Sequence, residues 1–221
     1  LQGRMTSKLA VFFSKYTDVQ VPGSIGYDTT GDGVNDSFIG ITSNAGKANI
    51  NGVEWEGQAI LADDLGRTGS QFRFGWAVGY IDADYKEYID AFGNDVADER
   101  VFQNTPKWTA TGTFTYDTPV NLFNTPGLFS VITSIAYRDD TSQFEVPNPF
   151  LDQPSYTLWD LSLVWSQDSG NWSAGIHAKN LGDKKYKVAG YFFPNLGLEN
   201  NITAFYGNPR QIWGTVQYNW F

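Results

Sequence analysis

The sequence has no cysteine, one histidine and one methionine among its 221 residues. Without cysteine it forms no disulfide, iron–sulfur cluster or thiolate zinc site, and one histidine is too few for a histidine metal cluster. Basic residues are also scarce, because 15 Lys and Arg face 24 Asp and Glu, for a net charge of −9. Since phosphate neutralisation dominates affinity for nucleic acids, we expect no nucleic-acid partner.

Long apolar runs are absent as well. No stretch approaches the roughly 18–20 consecutive apolar residues that a membrane-spanning helix needs. Aromatic residues nevertheless make up 16% of the chain, although its mean hydropathy is −0.34. Many large rings in a chain that is hydrophilic on average are compatible with a membrane β-barrel, whose strands hide an apolar face by alternation.

Apolar and polar residues alternate with a period of two in eight segments along the chain. The cleanest is 108–116, where Trp, Ala, Gly, Phe and Tyr interleave with four threonines. The segments have about 9–11 residues, the length of a tilted membrane strand, and their second face is small and polar. Rings such as Trp159 and Trp165 bracket the strands, as in an interfacial aromatic belt. The pattern predicts an all-β fold, a transmembrane antiparallel β-barrel.

The connections between these segments alternate in length. Outer-membrane barrels have short periplasmic turns and long external loops, so the alternation places both chain ends on the periplasmic side. The short connections are 62–70, 117–127 and 166–171, and the long ones are 22–46, 86–105, 139–155 and 183–209.

Four motifs in order resemble the C-terminal part of the TonB-dependent outer-membrane receptors. Residues 180–186 (Asn-Leu-Gly-Asp-Lys-Lys-Tyr) resemble the family's Asn-Leu-x-Asp-Lys-x-Tyr signature, and 206–210 (Tyr-Gly-Asn-Pro-Arg) resemble its Tyr-Gly-x-Pro-Arg motif. Upstream, 104–107 (Asn-Thr-Pro-Lys) is similar to its Asn-x-Pro-x strand start, and 44–56 is similar to its Asn-Ala-Gly…Gly-Val-Glu segment. Turns and bulges require the same residue types, so we interpret these motifs as architectural.

The resemblance implies that residues 1–221 are the C-terminal eight strands of a barrel of about 22 strands, with the plug domain and earlier strands absent from this chain. It implies the outer membrane of a Gram-negative bacterium, with surrounding lipid, TonB and the plug domain as partners, and no enzymatic activity. The implied function is TonB-dependent uptake of a scarce small-molecule or glycan ligand. A ferric siderophore or other iron complex is the default, and cobalamin is a further option.

Two alternatives stay open at this point. One is a complete small outer-membrane barrel or passive pore, because eight strands suffice to close a barrel. The other is a soluble all-β carbohydrate-binding protein, because a sandwich also shows alternating strands.

Seven charged or titratable residues fall on the polar sides of the predicted strands, where we expect them to face the lumen. A lone histidine is typical of a polar wall. Glu54 and Glu56 have a spacing that also suits paired catalytic carboxylates, but a lumen wall explains them as well. The predicted lumen-facing residues are Glu54, Glu56, Arg73, Arg138, Asp160, His177 and Lys179.

The most specific short motif is residues 28–36 (Asp-Thr-Thr-Gly-Asp-Gly-Val-Asn-Asp). It resembles the Asp-rich calcium loops that space oxygen ligands around a glycine turn. Asp28, Asp32 and Asp36 would supply three carboxylates, so the motif predicts a possible Ca²⁺ site. Ile39 departs from the bidentate Glu at the twelfth position of an EF-hand, and an exposed turn explains the same residues.

Aromatic residues are concentrated in the last long loop. Exposed rings can stack on a sugar or an aromatic chelator, and loops on rigid scaffolds carry binding specificity. The alternative is a loop whose rings pack on one another. The predicted ligand contacts in this external loop are Tyr191, Phe192, Phe193, Phe205 and Tyr206.

Overall fold

The computed structural model describes residues 3–90, 92–192 and 201–220, with the backbone alone at 21–24, 43 and 45. These residues form β-strands and one short 3₁₀ helix, Ala97–Glu99. The strands are β1 (Met5–Tyr27), β2 (Ser37–Asp63), β3 (Gln71–Tyr88), β4 (Trp108–Leu122), β5 (Thr125–Arg138), β6 (Tyr156–Gln167), β7 (Trp172–Lys179), β8 (Lys187–Phe192), β9 (Ile202–Tyr206) and β10 (Gln211–Tyr218).

Eight of the strands form one antiparallel sheet in the order β1-β2-β3-β4-β5-β6-β7-β10, and β8 and β9 form a separate hairpin. The predicted all-β, antiparallel arrangement of eight strands is confirmed. Within the described residues β1 pairs only with β2 and β10 only with β7. The sheet is therefore open, instead of the closed ring that the small-barrel alternative requires. In the same part of the chain, no helix is long and apolar enough to cross a membrane.

The register aligns the apolar positions of neighbouring strands. Leu9 pairs with Trp55, and Trp55 pairs with Val78. Val78 in turn pairs with Ala110 of β4. Because paired residues project to the same side of a sheet, the apolar side chains of the eight strands share one face. This face is open, as shown by Val216 of β10, which is 75% exposed.

Aromatic rings form a continuous ladder across β2, β3 and β4 on that apolar face. The ring centroids of Trp55 and Trp76 lie 5.4 Å apart, and those of Phe74 and Phe114 lie 4.6 Å apart. Phe74 and Trp76, stacked at 5.7 Å, join the two pairs. Gly57 leaves room for this ladder, since a Cβ there would overlap the indole of Trp76. Cross-strand ring pairs of this kind stabilise a sheet by about 0.2–1 kcal/mol each.

The hairpin of β1 and β2 is more regular than the sequence predicts. β1 continues to Tyr27 and β2 begins at Ser37, so the predicted loop 22–46 is wrong and only 28–36 connects the strands. Backbone pairing continues along this hairpin, with register shifts around Asp18. This part of the hairpin is paired as a strand although its residues do not alternate between apolar and polar, so the sequence pattern did not reveal it.

Two further connections differ from the prediction. The predicted short loop 117–127 is a two-residue turn at Phe123 and Asn124, whose φ angles are 50° and 62°. Pro119 and Pro126, which favour a loop, lie inside β4 and β5. The predicted loop 183–209 contains the β8–β9 hairpin. The other connections lie within a few residues of their predicted bounds, and 139–155 matches them.

Few apolar side chains are buried. Among the described residues they are Ala48, Tyr88, Leu151 and Ala178. Leu151 is fully buried although it lies in the loop between β5 and β6, outside the eight-stranded sheet. The described sheet therefore has no extensive apolar core of its own, and its apolar residues are displayed on the surface.

Candidate functional site

All seven residues predicted to face the lumen lie on one side of the sheet, opposite the apolar face. Glu54 pairs with Gly79, and Gly79 pairs with Thr109. Thr109 pairs with Arg138, which completes one polar row across four strands. The remaining five occupy the same phase of their strands: Glu56, Arg73, Asp160, His177 and Lys179. That this polar face borders a lumen stays a prediction.

Ion pairs and hydrogen bonds connect this polar face from strand to strand. Lys8 Nζ donates to Glu56 Oε1 at 3.2 Å. The guanidinium of Arg73 on β3 pairs with the Asp117 carboxylate on β4. Sequence reasoning did not assign Lys8 or Asp117 to this site, although both follow the polar phase of their strands. Exposed pairs of this kind contribute about 0–1 kcal/mol each, so they set the charge pattern more than the stability.

His177 is held by hydroxyl groups of both neighbouring strands. Its Nδ1 lies 3.0 Å from Ser162 Oγ on β6, and its Nε2 lies 3.0 Å from Thr215 Oγ1 on β10. The indole of Trp213 stacks on the imidazole at 5.3 Å. Sequence reasoning missed Trp213, although a tryptophan in the polar phase of β10 was the available signal. Both ring nitrogens of His177 thus have hydroxyl partners, and its ring forms a stacked pair with Trp213 on the polar face. This arrangement is typical of a histidine with a structural role in the sheet.

The Asp-rich loop between β1 and β2 is organised by carboxylates that accept backbone N–H groups. Asp28 Oδ1 accepts from Gly31 N at 2.6 Å, and its Oδ2 accepts from Gly33 N at 2.6 Å. Asp36 Oδ1 accepts from Thr29 N at 2.9 Å. The bonds from the Gly33 and Gly31 amides, of which that from Gly33 has the larger effect, hold the pKa of the Asp28 carboxyl below its usual range.

The three carboxylates of this loop do not converge on one point. In the described residues, no three acidic or histidine side chains are grouped closely enough to hold a metal ion. Calcium requires six to eight oxygen ligands, and turn hydrogen bonds already use oxygens of Asp28, Asp32 and Asp36. Calcium binding at 28–36 stays a prediction from the sequence.

Asn180, 4% exposed, fastens the crossover from β7 to β10. Its Nδ2 donates to the carbonyls of Lys184 at 2.9 Å and Asn208 at 3.1 Å, and its Oδ1 accepts from Lys184 N at 2.8 Å. Asp183 Oδ1 accepts from Arg210 N at 3.0 Å. These bonds join residues 180–184 directly to residues 208–210. The motifs at 180–186 and 206–210 are thus hydrogen-bonded to each other. This contact explains why Asn180 and Asp183 are needed at these positions.

A pair of stacked tyrosines also holds the crossover between β7 and β10 in place. Tyr186 and Tyr156 stack with ring centroids 4.7 Å apart, which ties the crossover to the start of β6. Gly207 lies against the Tyr186 ring so closely that a Cβ at this position would overlap it. Gly207 N also donates to the Tyr186 carbonyl at 2.9 Å. A glycine after Tyr206 is therefore a packing requirement rather than a ligand contact.

The aromatic residues predicted to contact ligand lie mostly on the β8–β9 hairpin. Tyr191 and Phe205 meet edge to face at 5.9 Å, and each is 48% exposed. Tyr206 is exposed at the end of β9, and Phe192 is half-buried opposite Ile202. Phe193, the fifth predicted contact, lies outside the described residues.

The β8–β9 hairpin is anchored on the loop between β5 and β6. Gln153 Oε1 accepts from Lys187 N at 2.7 Å, and Lys187 Nζ donates to the Asp152 carbonyl at 2.9 Å. The buried side chain of Leu151 lies against Gly190. The anchoring presents one side of the hairpin, with Tyr191 and Phe205, to solvent. A rigid, outward-facing ring pair of this kind can stack on a planar or sugar-like ligand.

Comparison with known proteins places the fold in a family. The sequence profile of the family described as "TonB dependent receptor-like, beta-barrel" matches residues 1–181. The chain therefore belongs to this family, and the predicted recognition is confirmed. The family consists of outer-membrane receptors and transporters.

Three solved structures are similar to the chain at the level of the fold. The ferric yersiniabactin uptake receptor FyuA from Yersinia pestis has a TM-score of 0.69 and 19% identity, over 99% of this chain and 28% of that one. BauA, the ferric preacinetobactin receptor from Acinetobacter baumannii, has a TM-score of 0.60 and 19% identity, over 98% of this chain and 27% of that one. A chain of the FpvAI–pyocin S2 complex has a TM-score of 0.54 and 19% identity, over 99% of this chain and 24% of that one. The chain thus spans about a quarter of the length of these proteins.

Proposed function

We propose that the chain forms part of the wall and external loops of an outer-membrane receptor that takes up a scarce ligand by TonB-dependent transport. A ferric siderophore is the first candidate for that ligand. In this proposal, residues 1–221 are the C-terminal strands of a larger barrel. The apolar face contacts outer-membrane lipid, and the polar face borders the lumen and the plug domain.

The observation that carries the proposal is a sheet eight strands wide with one apolar and one polar face. An exposed apolar face is unfavourable in water by about 25 cal/mol per Å². Lipid removes that cost, and a hydrated or plugged lumen solvates the opposite face. The wide open sheet also suits a segment of a large barrel better than a small closed one.

The external loops supply the ligand-contacting part of the proposal. The ring pair of Tyr191 and Phe205 stands on an anchored hairpin, where it would stack on an aromatic or heterocyclic chelator. Two similar structures are described as receptors for ferric siderophore complexes, which supports iron as the first candidate. This chain would position the ligand and the plug, while the energy would come from TonB.

Uptake of a radioactive ferric siderophore by cells that carry the full-length receptor tests this function. We expect uptake that requires both TonB and the proton gradient. The double variant Tyr191→Ala/Phe205→Ala should weaken ligand binding about threefold to tenfold per ring, because an aromatic contact contributes about 0.5–1.5 kcal/mol. Phe92→Ala is the matched control, since this exposed external ring lies on another loop.

Each other outcome points to a different function. Flux that persists without TonB would indicate a passive pore. If expression of the receptor does not change under iron limitation, and growth on a glycan requires the receptor, the protein is a glycan receptor. Recovery of the intact chain from cells without detergent would contradict the membrane proposal.

A further inference from the structure

The loops 89–107 and 139–155 are joined directly by backbone hydrogen bonds. Val101 N donates to the carbonyl of Glu145 at 2.9 Å, and Asn104 N donates to the carbonyl of Ser142 at 2.9 Å. These bonds link two connections that lie far apart in sequence. The loops therefore move together as long as these two bonds remain.

Rings at the external end of β3 pack beneath this junction. Tyr85 stacks on Phe102 at 4.2 Å with an angle of 8° between the rings, and it meets Tyr88 edge to face at 5.1 Å. The guanidinium of Arg100 lies 5.4 Å from the centre of the Tyr88 ring. Tyr88 is 6% exposed and packs with Val19, Tyr85, Val96 and Ala97. The junction is thus a small core formed between one end of the sheet, at β1 and β3, and the loop residues that pack on it.

Glu145, whose carbonyl accepts the bond from Val101 N, is half-buried and carries an ionisable carboxyl at the edge of this core. Arg100 is the charged group that faces it, and Tyr85 and Tyr88 of β3 are the titratable groups that face it. Burial raises the pKa of the Glu145 carboxyl, whereas its own backbone N–H and Arg100 lower that pKa in part. Glu99, two residues before Val101 in the same junction, is exposed.

We propose that loops 89–107 and 139–155 form one latch above β3 that is closed by protonation of Glu145 and loosened by its ionisation. The latch gives the external loops a pH-dependent opening that does not depend on which ligand is transported. Its direction follows from the raised pKa of Glu145. Closed loops hold the proton more tightly than open loops, so the added stability is complete below the pKa of the open state. It is lost as the pH rises through the pKa of the closed state.

Amide hydrogen exchange at Val101 and Asn104 tests the latch in the full chain in lipid nanodiscs between pH 4 and pH 8. After correction for intrinsic exchange, wild-type protection should fall as the pH rises. Each unit by which the closed state raises the pKa corresponds to a tenfold fall in protection. Glu145→Gln, which is neutral and of similar shape, should keep high protection at every pH. Glu99→Gln should behave like the wild type.

A second variant shows that these amides report on the latch. Phe102→Ala removes the ring that stacks on Tyr85 and should lower protection of both amides at every pH. Wild-type protection that does not change with pH would overturn the proposal. A Glu145→Gln variant that keeps the wild-type pH dependence would overturn it as well, because the titrating group would then lie elsewhere.

Discussion

The eight-stranded wall and the long loops are built on opposite principles. On the wall, large apolar side chains such as Ile176 and Val216 are exposed in an ordered row, and the strands are held by backbone pairing. In the loops, Leu151 and Gln143 are fully buried and side chains bond to backbone groups. Exposed apolar surface on the wall is unfavourable in water, whereas the loops pack as a water-soluble protein does.

This difference changes how a substitution acts in each region. A substitution on the wall acts through the face, apolar or polar, on which its side chain lies, so its effect depends on the position of that residue in the alternation. A substitution in the loops acts through a few buried polar contacts, so its effect depends on the individual residue. Four substitutions examine this contrast, in order of decreasing expected effect.

Val216→Arg should have the largest effect, because it places a charge on the apolar face of β10. Arg on the lipid face destabilises a barrel by about 2–4 kcal/mol at the middle of the bilayer, and by less towards the interfaces. Its neighbour Gln217 points to the polar face, so Gln217→Arg should change stability by less than about 0.5 kcal/mol. Urea titration of the full-length receptor in lipid vesicles measures both. Equal losses for the two variants would contradict the two-faced wall.

Asn180→Ala should have the largest effect in the loops. It removes the bonds that join Asn180 to Lys184 and Asn208, at a cost of about 1–3 kcal/mol. Asn201→Ala, an exposed asparagine in the same crossover, is the control. Limited proteolysis between β7 and β10 should become faster only for Asn180→Ala. Unchanged proteolysis would mean that the crossover is held by other contacts.

Phe123→Asn should stabilise the protein. Phe123 has a φ of 50° and is 93% exposed, and a bulky residue in this left-handed region is strained. Asn suits the first position of a type I′ turn, so we expect a gain of about 0.5–1 kcal/mol in unfolding free energy. Phe92→Asn, which also replaces an exposed ring but without a positive φ, should be close to neutral. A destabilised Phe123→Asn variant would show that the ring makes a needed contact.

The smallest effect concerns the loop at 28–36. The lowered pKa of Asp28 means that its contribution to loop order is present above the ordinary aspartate pKa and is lost as the pH falls through the lowered value. The NMR signals of the Gly31 and Gly33 amides should follow that titration and should lose it in Asp28→Asn. Signals that titrate at the ordinary aspartate pKa would contradict the hydrogen bonding described. Addition of CaCl₂ in the same experiment tests the calcium prediction.

The wall could be predicted from the sequence because its signal is periodic. In segments such as 108–116, apolar residues lie on one side of the sheet and polar residues on the other. The register between strands keeps each side continuous across the sheet. The same alternation correctly predicted that Glu54, Arg138 and His177 lie on the polar face. Lys8 and Asp117 obeyed that rule, but their pairing with Glu56 and Arg73 needed the register between strands.

The loops could not be predicted because their structure depends on contacts between distant segments. The continuation of β1 to Tyr27 carries no alternation, and the turn at Phe123 and Asn124 lacks the usual glycine. The β8–β9 hairpin depends on Leu151 and Gln153, which lie in another loop. The motifs at 180–186 and 206–210 could be recognised as family features, but their mutual hydrogen bonding could not.

The two-faced wall is tested most directly by scanning β5 with single cysteines from 129 to 137, after replacement of any cysteine that the receptor carries outside these cysteine-free 221 residues. Spin labels attached in the full-length receptor in lipid vesicles report collisions with oxygen, which concentrates in lipid, and with a water-soluble nickel complex. A wall with one face in lipid should give a period of two, with the odd positions accessible to oxygen and the even positions not. Accessibility without that alternation, or with oxygen and nickel reaching the same positions, would contradict such a wall.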